Sequence, residues 1–106
     1  GREDDALRLL QTAVLIRPEI PETHGLLGEI YLKRKEIKLA ELHFKRAVEI
    51  KPNYALAMRN LGIVNYFHLK KTKEAVAYFS RSLSIDPNQE EADNIRVLVN
   101  QAMKLP

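Results

Sequence analysis

Three histidines, His24, His43 and His68, are the candidate general bases and metal ligands of this 106-residue chain. A helical zinc site of the H-E-x-x-H kind needs two imidazoles four residues apart, so that both leave one face. Here the histidines stand 19 and 25 residues apart, with no acid at a ligand spacing. His24 is therefore expected to pack, and His43 and His68 to lie on the surface. Cysteine is absent, which removes disulfides and thiolate ligands. No glycine-rich loop is present to cradle a phosphate, and Gly25 and Gly28 read as packing positions. Glu3, Asp4 and Asp5 open a helix, where carboxylates favour the positive end of its dipole. No catalytic group, metal or cofactor is expected.

The remaining charged groups are basic clusters. Lys33-Arg34-Lys35 with Lys38, and Lys70-Lys71 with Lys73, recur along the chain. The formal charge of +3 permits acidic partners without requiring nucleic acid. Hydrophobic residues at 45% and charged residues at 29% make an ordinary globular balance, enough for one domain. No apolar run approaches the ~20 residues of a membrane span, and no signal peptide is visible.

Self-comparison shows what must position these groups. Pro18, Pro52 and Pro87 lie 34 and 35 residues apart, and the segments before them match in register: ALRLLQTAVLIRP, AELHFKRAVEIKP and AVAYFSRSLSIDP. Small residues recur as Ala6, Ala40 and Ala75, then as Ala13, Ala47 and Ser82; large apolar ones recur as Leu10, Phe44 and Phe79. Spacings of three, four and seven place them on one helical face, and proline ends each helix. Two further helices are predicted, from about Pro21 to Arg34 with proline in the first turn, and from about Tyr54 to Leu69 with Asn53 as N-cap. A last helix is predicted over Glu90–Met103, opened by a capping-box arrangement at Asn88 and carrying Ala92, Ile95, Leu98, Val99 and Ala102 as its apolar stripe. No segment alternates with the period of a strand, so the chain reads as all-α.

A 34-residue helix pair with this pattern resembles the tetratricopeptide repeat, W-x2-L-G-x2-Y followed by A-x3-F and a closing P. The first complete copy supplies Leu27, Gly28, Tyr31, Ala40, Phe44, Ala47 and Pro52, with His24 in the tryptophan slot. The second supplies Leu61, Gly62, Tyr66, Ala75, Phe79 and Pro87, with Met58 in that slot and Ser82 for the last alanine. The resemblance implies an α-solenoid of antiparallel helix pairs in a single domain over 1–106. Residues 1–18 are the second helix of a truncated repeat, 19–52 and 53–87 are full repeats, and 88–106 form a solvating cap in which Asp93, Arg96 and Val97 depart from the pattern.

The second full repeat holds one residue more than the first. Pro52 to Gly62 is ten steps, as is Pro18 to Gly28, and Tyr66 to Ala75 is nine, as is Tyr31 to Ala40. The extra residue thus falls between Gly62 and Tyr66, inside a helix. A regular helix would turn Asn65 into the core and swing Tyr66 aside, whereas a π-bulge would restore Tyr66. A regular helix followed by a longer turn is the other solution.

In tetratricopeptide repeats the first helix of each pair lines a concave face that holds peptides. The resemblance therefore implies a non-catalytic module for a protein or peptide ligand, cut from a larger scaffold or adaptor. Leu56, Arg59, Asn60, Ile63 and Phe67 share a face that mixes apolar and hydrogen-bonding groups, flanked by Glu22, Leu26 and Glu29 on one side and by Glu91, Asn94, Ile95 and Leu98 on the other. Relatives that capture chaperone carboxylate tails use a clamp of Lys, Asn, Asn, Lys and Arg. Those slots carry Gly25, Glu29, Asn60, Glu91 and Ile95 here, so such tails are not the expected ligand. Arg59 could instead hold one acidic side chain. Two other readings compete. A homodimer through the face of Ala6, Leu10 and Ala13, whose partner helix is missing, would make the module structural. The basic ridge of Lys33, Arg34, Lys35, Lys70 and Lys71 could meet RNA, but reading one base per repeat needs many repeats and aromatic stackers beside the cations. Nucleic acid is the weaker reading.

Overall fold

The computed structural model describes residues 1–104, and Leu105 and Pro106 of the expected cap lie outside the described residues. The described chain is helical throughout: α1 (Arg2–Ile16), α2 (Pro21–Lys33), α3 (Ile37–Ile50), α4 (Ala55–Ile63) running on into a π turn (Val64–His68), α5 (Thr72–Ile85) and α6 (Ala92–Met103). It divides into two compact units at Pro52, the proline that closes the first full repeat.

In the first unit α2 packs on α1 and α3. Pro21 starts α2, as its missing N–H and fixed φ allow. The helix ends in a Schellman motif, with Glu36 N–H donating to the Tyr31 carbonyl at 2.9 Å and Lys35 N–H to that of Leu32 at 3.0 Å. Lys35 takes the left-handed conformation the motif needs, at φ 65°. Leu27, Tyr31, Ala40, Phe44 and Ala47 form the buried core. At its centre the Phe44 ring rests on Gly28, where an added Cβ would stand 2.6 Å from the ring.

The acids that open α1 do more than meet its dipole. Glu3 takes Arg34 Nε at 2.9 Å and Lys33 Nζ at 3.1 Å, and Asp4 takes the Arg34 Nη2. Arg34 holds both carboxyl groups below the usual carboxylate range, with Lys33 adding to the effect on Glu3. On the opposite side of α2, His24 fills the tryptophan slot and is buried. Its Nε2–H donates to the Pro18 carbonyl at 2.7 Å, which leaves Nδ1 as an acceptor for the Nδ1–H of His43 at 3.0 Å. His43 is thus not a free surface residue: its ring stacks between His24 at 5.3 Å and Tyr31 at 5.5 Å. The Tyr31 hydroxyl in turn accepts from Gln11 Nε2 at 3.1 Å, tying α1 to the stack.

The second unit repeats the plan. The Phe79 ring rests on Gly62, and an added Cβ there would meet it at 2.5 Å. Ala75, Phe79 and Ile95 form a buried cluster against which Ile63, Tyr66, Leu83, Leu98 and Val99 pack. Ser82, in an alanine slot, is fully buried, and its hydroxyl donates to the Ala55 carbonyl at 2.8 Å. Two local expectations change. Helix α4 starts after Tyr54, which stands at the N-cap without a side-chain cap bond, rather than capping on Asn53. Helix α6 starts at Ala92 without a capping box at Asn88. The loop before it is held instead by Gln89, whose Nε2 reaches the Ser82 and Asp86 carbonyls at 3.1 and 2.9 Å. The outer face of α6 is mostly polar, broken by the exposed Val97 and Met103, with Arg96 bonded to Asp93 and to the Pro87 carbonyl.

Burial, and then electrostatic repulsion between the two neighbouring imidazoles on protonation, hold His43 below the ordinary imidazole range. The unfolded chain therefore takes up the proton first as pH falls below about 6.5, so the stability present above that pH is lost on acidification. Glu3 and Asp4 add a separate loss at lower pH, as their carboxylates protonate. Thermal unfolding followed by circular dichroism is expected to shift down by a few degrees between pH 7.5 and 5.5. His43→Gln should remove that shift while leaving the acid limb intact; an undiminished shift in the variant would contradict the assignment.

Candidate functional site

The second unit contains an open cavity of about 270 Å³ built from four elements. Arg59 and Ile63 come from α4, Phe67 from the π turn, Phe79 from α5, and Glu91, Asn94, Ile95 and Leu98 from α6 and the residue before it. Arg59, Ile63 and Phe67 are four residues apart, a spacing that drifts round an α-helix by ~40° per step. The wider π turn between the last two counters the drift and keeps the three on one wall. Phe79 forms the floor because Gly62 lets its ring lie flat against α4. Phe67, 47% exposed, stands at the rim with its ring edge-on to Tyr66 at 4.9 Å.

The extra residue is absorbed in this wall. Leu69 N–H donates to the Val64 carbonyl five residues back at 3.0 Å, and Lys71 N–H to that of Asn65 at 2.8 Å. Lys71 and Asn65 thereby repeat the Glu36–Tyr31 closure with one residue more between them, and Lys70 takes the left-handed position at φ 58°. Hence Asn65, not Tyr66, occupies the place of Tyr31: it is 2% exposed, and Tyr66 is only half-buried. The π-bulge forms but does not return tyrosine to the core. The burial of the amide is offset locally, since Asn65 Nδ2 donates to the Leu61 carbonyl at 2.8 Å.

The first unit has its own open hollow of about 460 Å³, lined by Leu26, Glu29, Ile30 and Lys33 of α2 and Glu3, Ala6, Leu9 and Leu10 of α1. Of the residues singled out from sequence, Leu26 and Glu29 line this hollow, while Arg59, Ile63, Phe67 and Ile95 line the cavity of the second unit. Leu56 is exposed outside it, and Asn60, on the same helix, is buried at 6%. Of the basic residues, Lys33 and Arg34 are paired with acids of α1, and Lys35 and Lys70 carry the left-handed helix ends. Glu91, Asn94 and Leu98, expected beside Ile95, line the same cavity, whereas sequence reasoning missed Phe79 because it reads as packing. It missed Leu9 because this residue lies off the Ala6–Leu10–Ala13 stripe. A more voluminous hollow of about 520 Å³ lies over the loop before α6, among polar side chains with little apolar surface. Among the described residues no group of three His, Asp or Glu side chains could hold a metal ion, and no helix is long and apolar enough to cross a membrane.

Comparison with known proteins yields two matches to tetratricopeptide repeat family models, over residues 1–55 and 60–89. Among curated proteins, mouse superkiller complex protein 3 is 27% identical over 90 residues, which are 81% of this chain and 6% of that protein. The uncharacterized protein ycf37 of Porphyra purpurea is 32% identical over 91 residues, 82% of this chain and 52% of the relative. The chain thus spans at most about half the length of these relatives. Among solved structures, the first tetratricopeptide domain of Spaghetti (RPAP3) bound to the HSP90 peptide SRMEEVD superposes with a TM-score of 0.87 at 26% identity, over 99% of this chain and 82% of that one.

Deletion of Asn65 restores the 34-residue spacing and brings Tyr66 to the place that Tyr31 holds in the first unit. The variant is expected to unfold cooperatively in urea, with little loss of helical signal. Loss of cooperative unfolding would show that the π turn is required for the fold.

Proposed function

The chain belongs to the tetratricopeptide repeat family, and we propose that it is a non-catalytic module that binds a protein segment in the cavity of its second unit. The observation that carries this reading is the wall of Arg59, Ile63 and Phe67 facing Ile95 and Leu98 across an open floor of Phe79. An aromatic rim over an apolar hollow with few polar groups is the composition that anchors a peptide side chain. The bound peptide in the RPAP3 domain supports a ligand of this kind. The carboxylate-tail mode is not the one proposed, because acids stand at Glu29 and Glu91, two of the slots where tail-binding relatives carry Lys or Asn, and would repel a terminal carboxylate. Within a longer chain, the module would serve a scaffold or adaptor, as the length of the relatives suggests.

A second reading has its own observation. Leu9, 72% exposed, joins Leu10, Leu26 and Ile30 in the apolar hollow of the first unit, a surface suited to self-association.

Peptide-display selection against the whole chain tests the first reading. Enriched peptides are expected to lose about tenfold or more in affinity to Phe67→Ala, as truncation of an aromatic anchor does, and to bind equally with free and amidated C-termini. Peptides insensitive to Phe67→Ala, or requiring a free C-terminus in a manner lost with Asn60→Ala, would overturn it.

A further inference from the structure

We propose that Arg59 forms an anion subsite in the cavity of the second unit, selecting a ligand with an internal Asp or Glu beside the apolar residue that fills the hollow. This inference rests on the peptide-binding reading above and specifies the chemistry of the ligand. Among the described residues, the Nε of Arg59 is buried without a hydrogen-bond partner. A guanidinium N–H removed from water and left unbonded is unfavourable, and guanidinium has no neutral form near pH 7 to escape into. The groups around it explain why nothing within the unit meets the need: Ile63, Phe67, Ile95 and Leu98 are apolar. Glu91 lines the same cavity, but its Oε2 takes the Asn94 Nδ2 at 2.6 Å, and it forms no ion pair with Arg59.

The missing acceptor is therefore expected from a ligand that, on entering the cavity, parts the side chains now covering the Nε. A carboxylate suits the planar N–H fork of arginine, and the apolar walls strengthen the contact by lowering the local dielectric. Glu91 sets the limit on charge. One negative group can settle at Arg59 across the cavity from that carboxylate, whereas a doubly charged phosphate would be repelled more strongly. The subsite needs a side-chain acid, not a chain terminus, because its donor lies beside the apolar anchor at Phe67 and not at the end of a clamp.

The test is an array of dodecapeptides, acetylated and amidated at their ends, in an Ala/Ser background. Each contains one Met, Leu or Phe, with Glu, Gln, Lys or phosphoserine at one of the next four positions. The whole chain is expected to bind Glu peptides about tenfold better than their Gln counterparts at one spacing, the scale of a charged hydrogen bond. Arg59→Gln should abolish that preference while keeping the weaker binding of the Gln peptides, Arg59→Lys should restore part of it, and Glu91→Gln should enlarge it. Phe67→Ala should weaken Glu and Gln peptides alike. Equal binding of Glu and Gln peptides with retained sensitivity to Phe67→Ala would overturn the subsite and leave the groove standing. Preference for phosphoserine would overturn the single-carboxylate assignment. Binding indifferent to Phe67 throughout would overturn the groove reading itself.

Discussion

Each helix pair is built on a phenylalanine ring lying against a glycine, and that contact sets where every other side chain of the unit can reach. At both Gly28 and Gly62 a Cβ would come within 3 Å of the ring opposite. The rings cannot step back, since Phe44 and Phe79 are 0% and 1% exposed in close-packed surroundings. Only glycine lets the helices approach this far, although it lowers helix propensity by about 1 kcal/mol relative to alanine. In the second unit the contact also shapes the candidate site, because the ring held against Gly62 lines the cavity.

The one-residue insertion shows how a repeat accommodates a change without losing its closure. The first unit ends its α2 with a Schellman bond from Glu36 to Tyr31, and the second makes the corresponding bond from Lys71 to Asn65 over a longer span. The surplus is spread through a π turn, which widens the helix just where Phe67 reaches the rim. π-type turns recur at functional sites in proteins. Here the turn couples two features, burying an amide that bonds its own helix and presenting an aromatic to the cavity.

The architecture was legible in the sequence where it depends on spacing. Pro18, Pro52 and Pro87, with the paired Gly28–Phe44 and Gly62–Phe79, were enough to place the helices and their shared faces. What was not legible depends on partners that periodicity does not encode. Asn65 takes the core place over Tyr66 because its amide finds the Leu61 carbonyl. His43 reads as a surface residue until His24, 19 positions away in the chain, supplies an acceptor. Asn53 and Asn88 have the composition of caps, but the helices begin elsewhere, and Gln89 bonds the loop that Asn88 was expected to hold. Within the candidate site Arg59, Ile63, Phe67 and Ile95 could be chosen from helical spacing together with the concave face that the family resemblance implies. The unpartnered nitrogen of Arg59 and the floor of Phe79 required the packed structure.

The dependence of the second unit on its glycine–ring contact is tested most directly by a double-mutant cycle on Gly62 and Phe79, measured by urea unfolding. Gly62→Ala alone is expected to destabilise the chain by up to about 2 kcal/mol, the ~1–3 kcal/mol cost of overpacking less the ~1 kcal/mol gain in helix propensity. In a Phe79→Leu background, where the ring is gone, the same substitution should be neutral or stabilising. An equal loss in both backgrounds would contradict the account, because it would show that the glycine is required for a reason other than the approach of the ring.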